Sequence, residues 1–242
     1  MESELHGRAV HVWPVSIQAP DSIVEQFQRL LAPDEADRAA KFRFHQLRTA
    51  YILGRGALRA LLGRYLNSPP QDLAFRYGSK GKPTLDAPGP LQFNASHSGD
   101  LALFAFTMDC EIGVDVEAIR PMPDIENIAR RFFCAEETVE LMSLPAGQRE
   151  HAFFLCWTRK EAYIKATGEG LSTPLDAFRV TLRPSEPAGM IQLAGDPIAA
   201  RRWTLHDLPP APGYAAAVAY RDAPRPLELF NRTNPKQLLD VM

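Results

Sequence analysis

The sequence predicts an α+β protein made of two similar α/β-mixed halves. Helix and strand patterns run in the same order twice along the 242 residues, and short landmarks recur within that order. Leu30-Leu31-Ala32-Pro33-Asp34-Glu35 parallels Phe132-Phe133-Cys134-Ala135-Glu136-Glu137, Leu73-Ala74-Phe75-Arg76 parallels Asp176-Ala177-Phe178-Arg179, and Leu101 to Phe106 parallels Tyr214 to Ala219. The spacing between the first two landmarks agrees to within one residue in both passages. Chance likeness of two helix-then-strand segments is the alternative. A duplication puts the division near Met108 to Cys110, separating residues 1–108 from 109–225, with 226–242 a tail of no assigned role.

The elements follow in order. Val10 to Val15 alternates as a strand, Ser22 to Leu31 has helical spacing, and Pro33-Asp34-Glu35 opens another helix. A long helix runs from about His45 to Leu66. Phe75 to Tyr77 and Pro83 to Leu85 are short extended pieces around the Gly78 to Gly81 turn, and Leu91 to Ala95 is a third. Leu101 to Thr107 and Glu111 to Val116 read as two strands joined in a hairpin through Met108-Asp109-Cys110. The second half brings a helix at Ile125 to Phe132, a helical turn at Glu136-Glu137, and a long helix ending at Gly168. Strands follow at Phe178 to Leu182, Ile191 to Leu193, Trp203 to Leu208 and Tyr214 to Tyr220. Pro69-Pro70, Pro88 to Pro90 and Pro209 to Pro212 mark loops.

Composition bounds the function. With 45% hydrophobic and 23% charged residues the chain can bury a substantial core. A net charge of -2 gives no global field for nucleic acid or an anionic membrane, so an anion site must be local. No apolar run approaches the roughly 18 residues of a membrane span, and a cytoplasmic location is expected. Cys110, Cys134 and Cys156 lack metal-type spacing and read as reduced core residues.

The stretch Phe153 to Gly168 carries the chemical signal. At about 100° per residue, Phe153, Ile164, Trp157, Glu161, Phe154 and Lys165 fall on one arc, so Glu161 points into an apolar face and needs a cationic partner. Lys165 is within reach one turn on. In Gly113-Val-Asp-Val-Glu117, Asp115 and Glu117 share one strand face while Val114 and Val116 take the other. Three carboxylates without a nearby histidine would suit a hard divalent cation such as magnesium, with a phosphate-bearing substrate as complement. The alternative is a wet edge-strand face with Glu161 a rim charge. Candidate phosphate contacts are Arg48, Arg55 and Arg59 on the first long helix, Lys80 and Lys82 in the Gly/Lys turn, and Asn94-Ala-Ser-His-Ser-Gly99. His97 is set among small polar residues. No nucleophile elbow, Walker loop or dinucleotide fingerprint appears.

Taken together, Gly113 to Glu117, Trp157-Thr-Arg-Lys-Glu-Ala-Tyr-Ile-Lys165 followed by Gly168 to Ser172, Gly81-Lys82-Pro83 and Asn94 to Gly99 resemble the Sfp-type 4'-phosphopantetheinyl transferases. The match runs in the family's order from about Pro33 to Tyr220, and the family's pseudo-twofold fold agrees with the suspected duplication. The resemblance implies an enzyme that moves the phosphopantetheine arm of coenzyme A to a serine of an apo acyl, polyketide or nonribosomal-peptide carrier protein, releasing 3',5'-ADP. It implies Mg2+ held by Asp115, Glu117 and Glu161, with Mn2+ as a substitute. It assigns Glu161 as base and Lys165 to the leaving phosphate, and it gives Lys82, Ser96 and His97 coenzyme A contacts, His97 at the 3'-phosphate. Arg48 is a further phosphate contact. Coenzyme A would bind chiefly through the first half and the metal through the second, in a monomer. Where some relatives carry lysines after the Pro33-like position this chain has Glu35, with Arg38 the available substitute. A catalytically silent coenzyme A binding module and a magnesium phosphodiesterase acting on coenzyme A are the rival readings.

Overall fold

The computed structural model describes residue 5, residues 8–87 and residues 89–240. The loop position Pro88, the first few residues of the expected first half and Met242 lie outside the described residues. The first passage of the chain forms β1 (Val10–Ser16), α1 (Asp21–Gln28), α2 (Pro33–Ala40), α3 (His45–Leu66), β2 (Phe75–Tyr77), β3 (Pro83–Leu85), β4 (Leu91–Ser98) and β5 (Leu101–Met108). The second forms β6 (Ile112–Ala118), α4 (Ile125–Phe132), α5 (Ala135–Ser143), α6 (Ala146–Thr167), β7 (Phe178–Val180), β8 (Met190–Leu193), α7 (Pro197–Ala200), β9 (Thr204–Asp207) and β10 (Tyr214–Tyr220). β11 (Leu227–Leu229) and α8 (Pro235–Leu239) close the chain.

The repetition is geometric as well as sequential. One sheet contains the order β1-β5-β4 and the other β6-β10-β9, antiparallel throughout. Each half covers its sheet with a 22-residue helix, α3 or α6. A short helix precedes each long one and carries a glutamate at the third position, which caps its own N-terminus and also binds the long helix. Glu35 accepts from the Ala32 N–H at 3.0 Å and from Arg59 at 2.6 Å, and Glu137 accepts from the Cys134 N–H at 3.0 Å and from Lys160 at 2.8 Å. Both cations then reach the turn after the long helix. Arg59 donates to the carbonyls of Pro70 and Leu73, and Lys160 to those of Leu175 and Phe178. Landmarks read as a repeated hexapeptide are thus one buried polar hinge built twice.

Each half has its own apolar core. Phe27, Leu58 and Phe104 belong to the first, and Phe153, Ile164 and Phe178 to the second. A third cluster joins the sheets, with Val10, Val12, Leu103 and Ala105 meeting Val114, Val116, Ala216 and Val218. The expected placement of Asp115 and Glu117 on the strand face opposite Val114 and Val116 follows from this seam. Cys110, Cys134 and Cys156 are free thiols and buried, as their apolar settings imply.

Two expectations need correction. β5 and β6 are not a hairpin, since β5 lies between β1 and β4, and β6 pairs with β10. Asp109 adopts φ 59°, and the chain crosses from one sheet to the other there. β6 is an edge strand of its own sheet. The tail is also structural: β11 adds parallel to β1, Leu238 of α8 enters the first core, and Phe230 stacks on Trp13 with ring centroids 3.8 Å apart.

Candidate active site

The site is assembled where α6 crosses β6. A Cβ on Gly113 would collide with the Ala162 carbonyl and the Ala166 backbone, so only glycine lets the helix lie this close. That approach brings Lys165 beside Asp115. Lys165 Nζ donates to Asp115 Oδ1 at 2.6 Å and to Ser96 Oγ at 2.7 Å, and Ser96 Oγ lies 2.8 Å from the same carboxylate oxygen. Asp115 is nearly inaccessible, whereas the lysine side chain is 29% exposed. The pair spans the boundary between core and surface.

Glu161 stands one turn before Lys165 and half-buried, as its place on the helical arc requires. Burial pushes its carboxyl above the ordinary carboxylate range; the charges of Asp115 and Glu117 push the same way, against Lys165. The three acids therefore share one electrostatic environment. Their side chains do not gather into a metal-holding cluster among the described residues, because Asp115 turns one oxygen to Lys165 and Ser96 and Glu117 turns one to Ser98. Asp115 Oδ2, however, is buried without a hydrogen-bond partner among the described residues. An unsatisfied buried carboxylate oxygen beside two further acids fits a hard divalent cation, which prefers oxygen donors. The donor chemistry fits magnesium.

The exposed edge of β6 is met from the other half by side chains instead of a backbone ladder. Asn94 Oδ1 accepts the Val114 N–H at 3.0 Å, and Ser98 Oγ accepts the Ala118 N–H at 3.1 Å. Asn94, Ser96 and Ser98 are alternate residues of β4, so all three face β6. The hydroxyls, imidazole and Gly turn of this stretch make it a candidate phosphate contact in the sequence, and its period-two polar stripe is the signal for these bonds to β6. His97 faces the other way and is exposed.

Lys82 is placed differently from a free phosphate contact. Its ammonium donates to the carbonyls of Ala166 at 2.7 Å and Ile112 at 3.2 Å, and burial pulls its pKa down to about 8. It fastens the β2-β3 hairpin to the C-terminal turn of α6 and the start of β6, where the helix dipole favours a cation. Arg48 lies in the first turn of α3, half-buried, with its guanidinium unpaired to any described residue. Arg55 and Arg59, also candidates for phosphate, are committed to Glu35. Arg159 and Lys160, inside the charged run of α6, turn away from the cleft to Asp207 and Glu137.

The acidic site is built once. In β1 the register position matching Asp115 is Trp13, which pairs with Phe104 as Asp115 pairs with Ala217. Arg64, in the place of Lys165, lies 5.8 Å from the Trp13 ring centre, and the tail covers that face through Phe230.

A duplicated α+β fold thus carries, where its two halves meet, three neighbouring acids with a lysine paired to one of them. A family model described as the 4'-phosphopantetheinyl transferase superfamily matches residues 111–219, and one described as 4'-phosphopantetheinyl transferase, N-terminal, matches 19–109. The chain is 41% identical over 213 residues to the 4'-phosphopantetheinyl transferase HetI of Nostoc sp., covering 87% of this chain and 86% of that protein. It is 33% identical to psf-1 of Bacillus pumilus, covering 72% and 73%. To Sfp of Bacillus subtilis it is 32% identical, covering 65% and 69%. The chain belongs to the 4'-phosphopantetheinyl transferase family.

Proposed function

We propose that this protein is a magnesium-dependent transferase that moves the 4'-phosphopantetheine arm of coenzyme A to a serine of an apo acyl, polyketide or nonribosomal-peptide carrier protein, releasing 3',5'-ADP. The observation that carries the magnesium reading is the unpartnered, buried Oδ2 of Asp115 beside Glu117 and Glu161. Bound there by the three acids, a divalent cation would neutralise pyrophosphate charge and help orient it. Mn2+ would substitute, having similar oxygen preference.

The chain's own groups supply the rest. Burial and neighbouring acids raise the proton affinity of Glu161, which suits it to take the proton of the carrier serine hydroxyl. The serine oxygen forms a bond to the pantetheine-bearing phosphorus as the bond from that phosphorus to the departing 3',5'-ADP oxygen breaks. Lys165 lies beside Asp115 with its side chain part-exposed, placed to stabilise charge on the leaving phosphate. Exposed His97 is proposed to meet the 3'-phosphate, with Arg48 a further anion contact; Ser96 and Lys82 would support the coenzyme A face from their bonded positions.

We assign residues 1–108 chiefly to coenzyme A, 109–225 to the metal and base, and 226–242 to closing the first half. No described helix is long and apolar enough to cross a membrane. Three buried free thiols accord with a reducing, cytoplasmic setting, and the two halves provide both sides of the cleft in a monomer. The decisive experiment is intact mass of a panel of apo carrier proteins after incubation with this protein, coenzyme A and magnesium, with a chelator control. A phosphopantetheine-sized increase abolished by chelator is expected. Coenzyme A binding with no increase on any carrier would favour the binding module, and 3',5'-ADP release without a carrier would favour the phosphodiesterase.

A further inference from the structure

Ser98 is the last residue of β4 and belongs to neither the acidic trio nor the proposed coenzyme A contacts. Its hydroxyl bridges two neighbours on β6: it accepts the Ala118 N–H at 3.1 Å and donates to Glu117 Oε2 at 2.9 Å. Accepting from a backbone amide fixes where the hydroxyl sits, and its single proton is then spent on the carboxylate. The only other polar partner of that carboxylate among the described residues is Arg120, 3.9 Å from the same Oε2 and well exposed. Among the described residues Oε1 has no hydrogen-bond or ion-pair partner.

We infer that Ser98 is a positioning residue for the divalent cation: it holds Glu117 by one oxygen so that the other is available as a ligand. This rests on the metal reading above and deepens it. The position also has a structural logic. Glu117 is near the end of an edge strand, where a long carboxylate side chain has several open rotamers, and the residue restraining it comes from the other half of the molecule. The β4-β5 turn keeps Ser98 in place: Gly99 has φ 58° and lies against Tyr214, whose hydroxyl donates to Asp100 at 2.6 Å. A ligand's hydrogen-bonded neighbour tunes affinity without touching the ion, and its loss typically weakens binding about 10- to 100-fold.

The test is Mn2+ binding to the full chain with coenzyme A present, read from loss of the free-ion electron paramagnetic resonance signal, beside thermal melts in chelator. Ser98→Ala is expected to weaken Mn2+ at least about 10-fold, with the chelator melt little changed, and Ser98→Thr, which keeps the hydroxyl, is expected to recover most of the affinity. Wild-type affinity in Ser98→Ala would overturn the positioning role while leaving the metal reading intact. Equal weakening in the alanine and threonine variants would also overturn it, since the hydroxyl would not be the cause. If the wild-type protein binds no Mn2+ at any coenzyme A concentration, the metal reading falls and this role falls with it.

Discussion

Gly113 and Ala162 are in backbone contact: the Cα of one lies so close to the carbonyl of the other that no side chain fits between β6 and α6. This contact fixes the height of α6 over the sheet, and with it the distance from Lys165 to Asp115. Gly113→Ala must push the helix away from the strand, because the obstructing atoms are backbone and cannot rotate aside. The expected cost is about 1–3 kcal/mol, as for other overpacked interiors, seen in urea unfolding. Turnover should fall further than stability explains, since Lys165 and Glu161 both ride on the displaced helix. A variant as active and stable as wild type would show that the helix can slide without consequence.

Lys160 lies one residue before Glu161 but belongs to the core. Both it and Glu137 are fully inaccessible, and the ammonium also serves two carbonyls. Lys160→Met leaves the Glu137 charge buried with only backbone N–H partners, from Cys134 and Val180. Breaking such a pair costs about 3–5 kcal/mol. Denaturant unfolding should register that loss, and the double variant Lys160→Met with Glu137→Gln should recover part of it. No recovery would mean that the carbonyl contacts, not the ion pair, carry the stability.

The same α6 sequence shows what was legible beforehand. Helical periodicity put Glu161 and Lys165 on one apolar arc, and strand alternation put Asp115 and Glu117 on one face; both placements depend only on local geometry. What escaped depends on partners distant in the chain. Nothing local to Lys82 says that its ammonium will be met by the carbonyls of Ala166 and Ile112. The Met108-Asp109-Cys110 turn looked like a hairpin because adjacent strands commonly pair, but apolar faces on both β5 and β6 favoured two stacked sheets. The tail was unreadable for the same reason: Leu227 to Leu229 is too short to declare itself a strand without β1 alongside. The hinge built on Glu35 and Glu137 was visible as a repeat, though its cations were not.

Glu161 has opposite consequences for stability and for catalysis. Its folded carboxyl holds a proton to higher pH than the unfolded chain does, so above the unfolded value of 4.5 the folded state loses stability as pH rises through the folded pKa. Without a divalent ion, ionising this side chain in the folded state is therefore a net cost to stability. Glu161→Gln should raise the melting temperature in chelator at pH 7, with the gain shrinking toward pH 4. Turnover should fall about 10²- to 10⁴-fold, the usual contribution of a general base. Paired melts and steady-state rates check both halves, and near-normal turnover would remove Glu161 from the chemistry.

Lys82 gives a pH signature of its own. Burial lowers its folded pKa from 10.5 to about 8, with Glu111 opposing that shift. Between those values the unfolded chain binds more protons than the folded one, so this group makes stability increase with pH across that window. Below pH 8 the ammonium is charged in both states and its burial cost is fully present, offset by the carbonyl hydrogen bonds to Ala166 and Ile112. Lys82→Met removes the titration. The difference in unfolding free energy between wild type and variant should therefore shift in favour of wild type from pH 8 to 10.5, whatever the cysteines and tyrosines contribute to both. Denaturant titrations at closely spaced pH values measure that difference directly. A flat difference across the window would mean that Lys82 titrates as an exposed lysine and does not clamp the hairpin to α6.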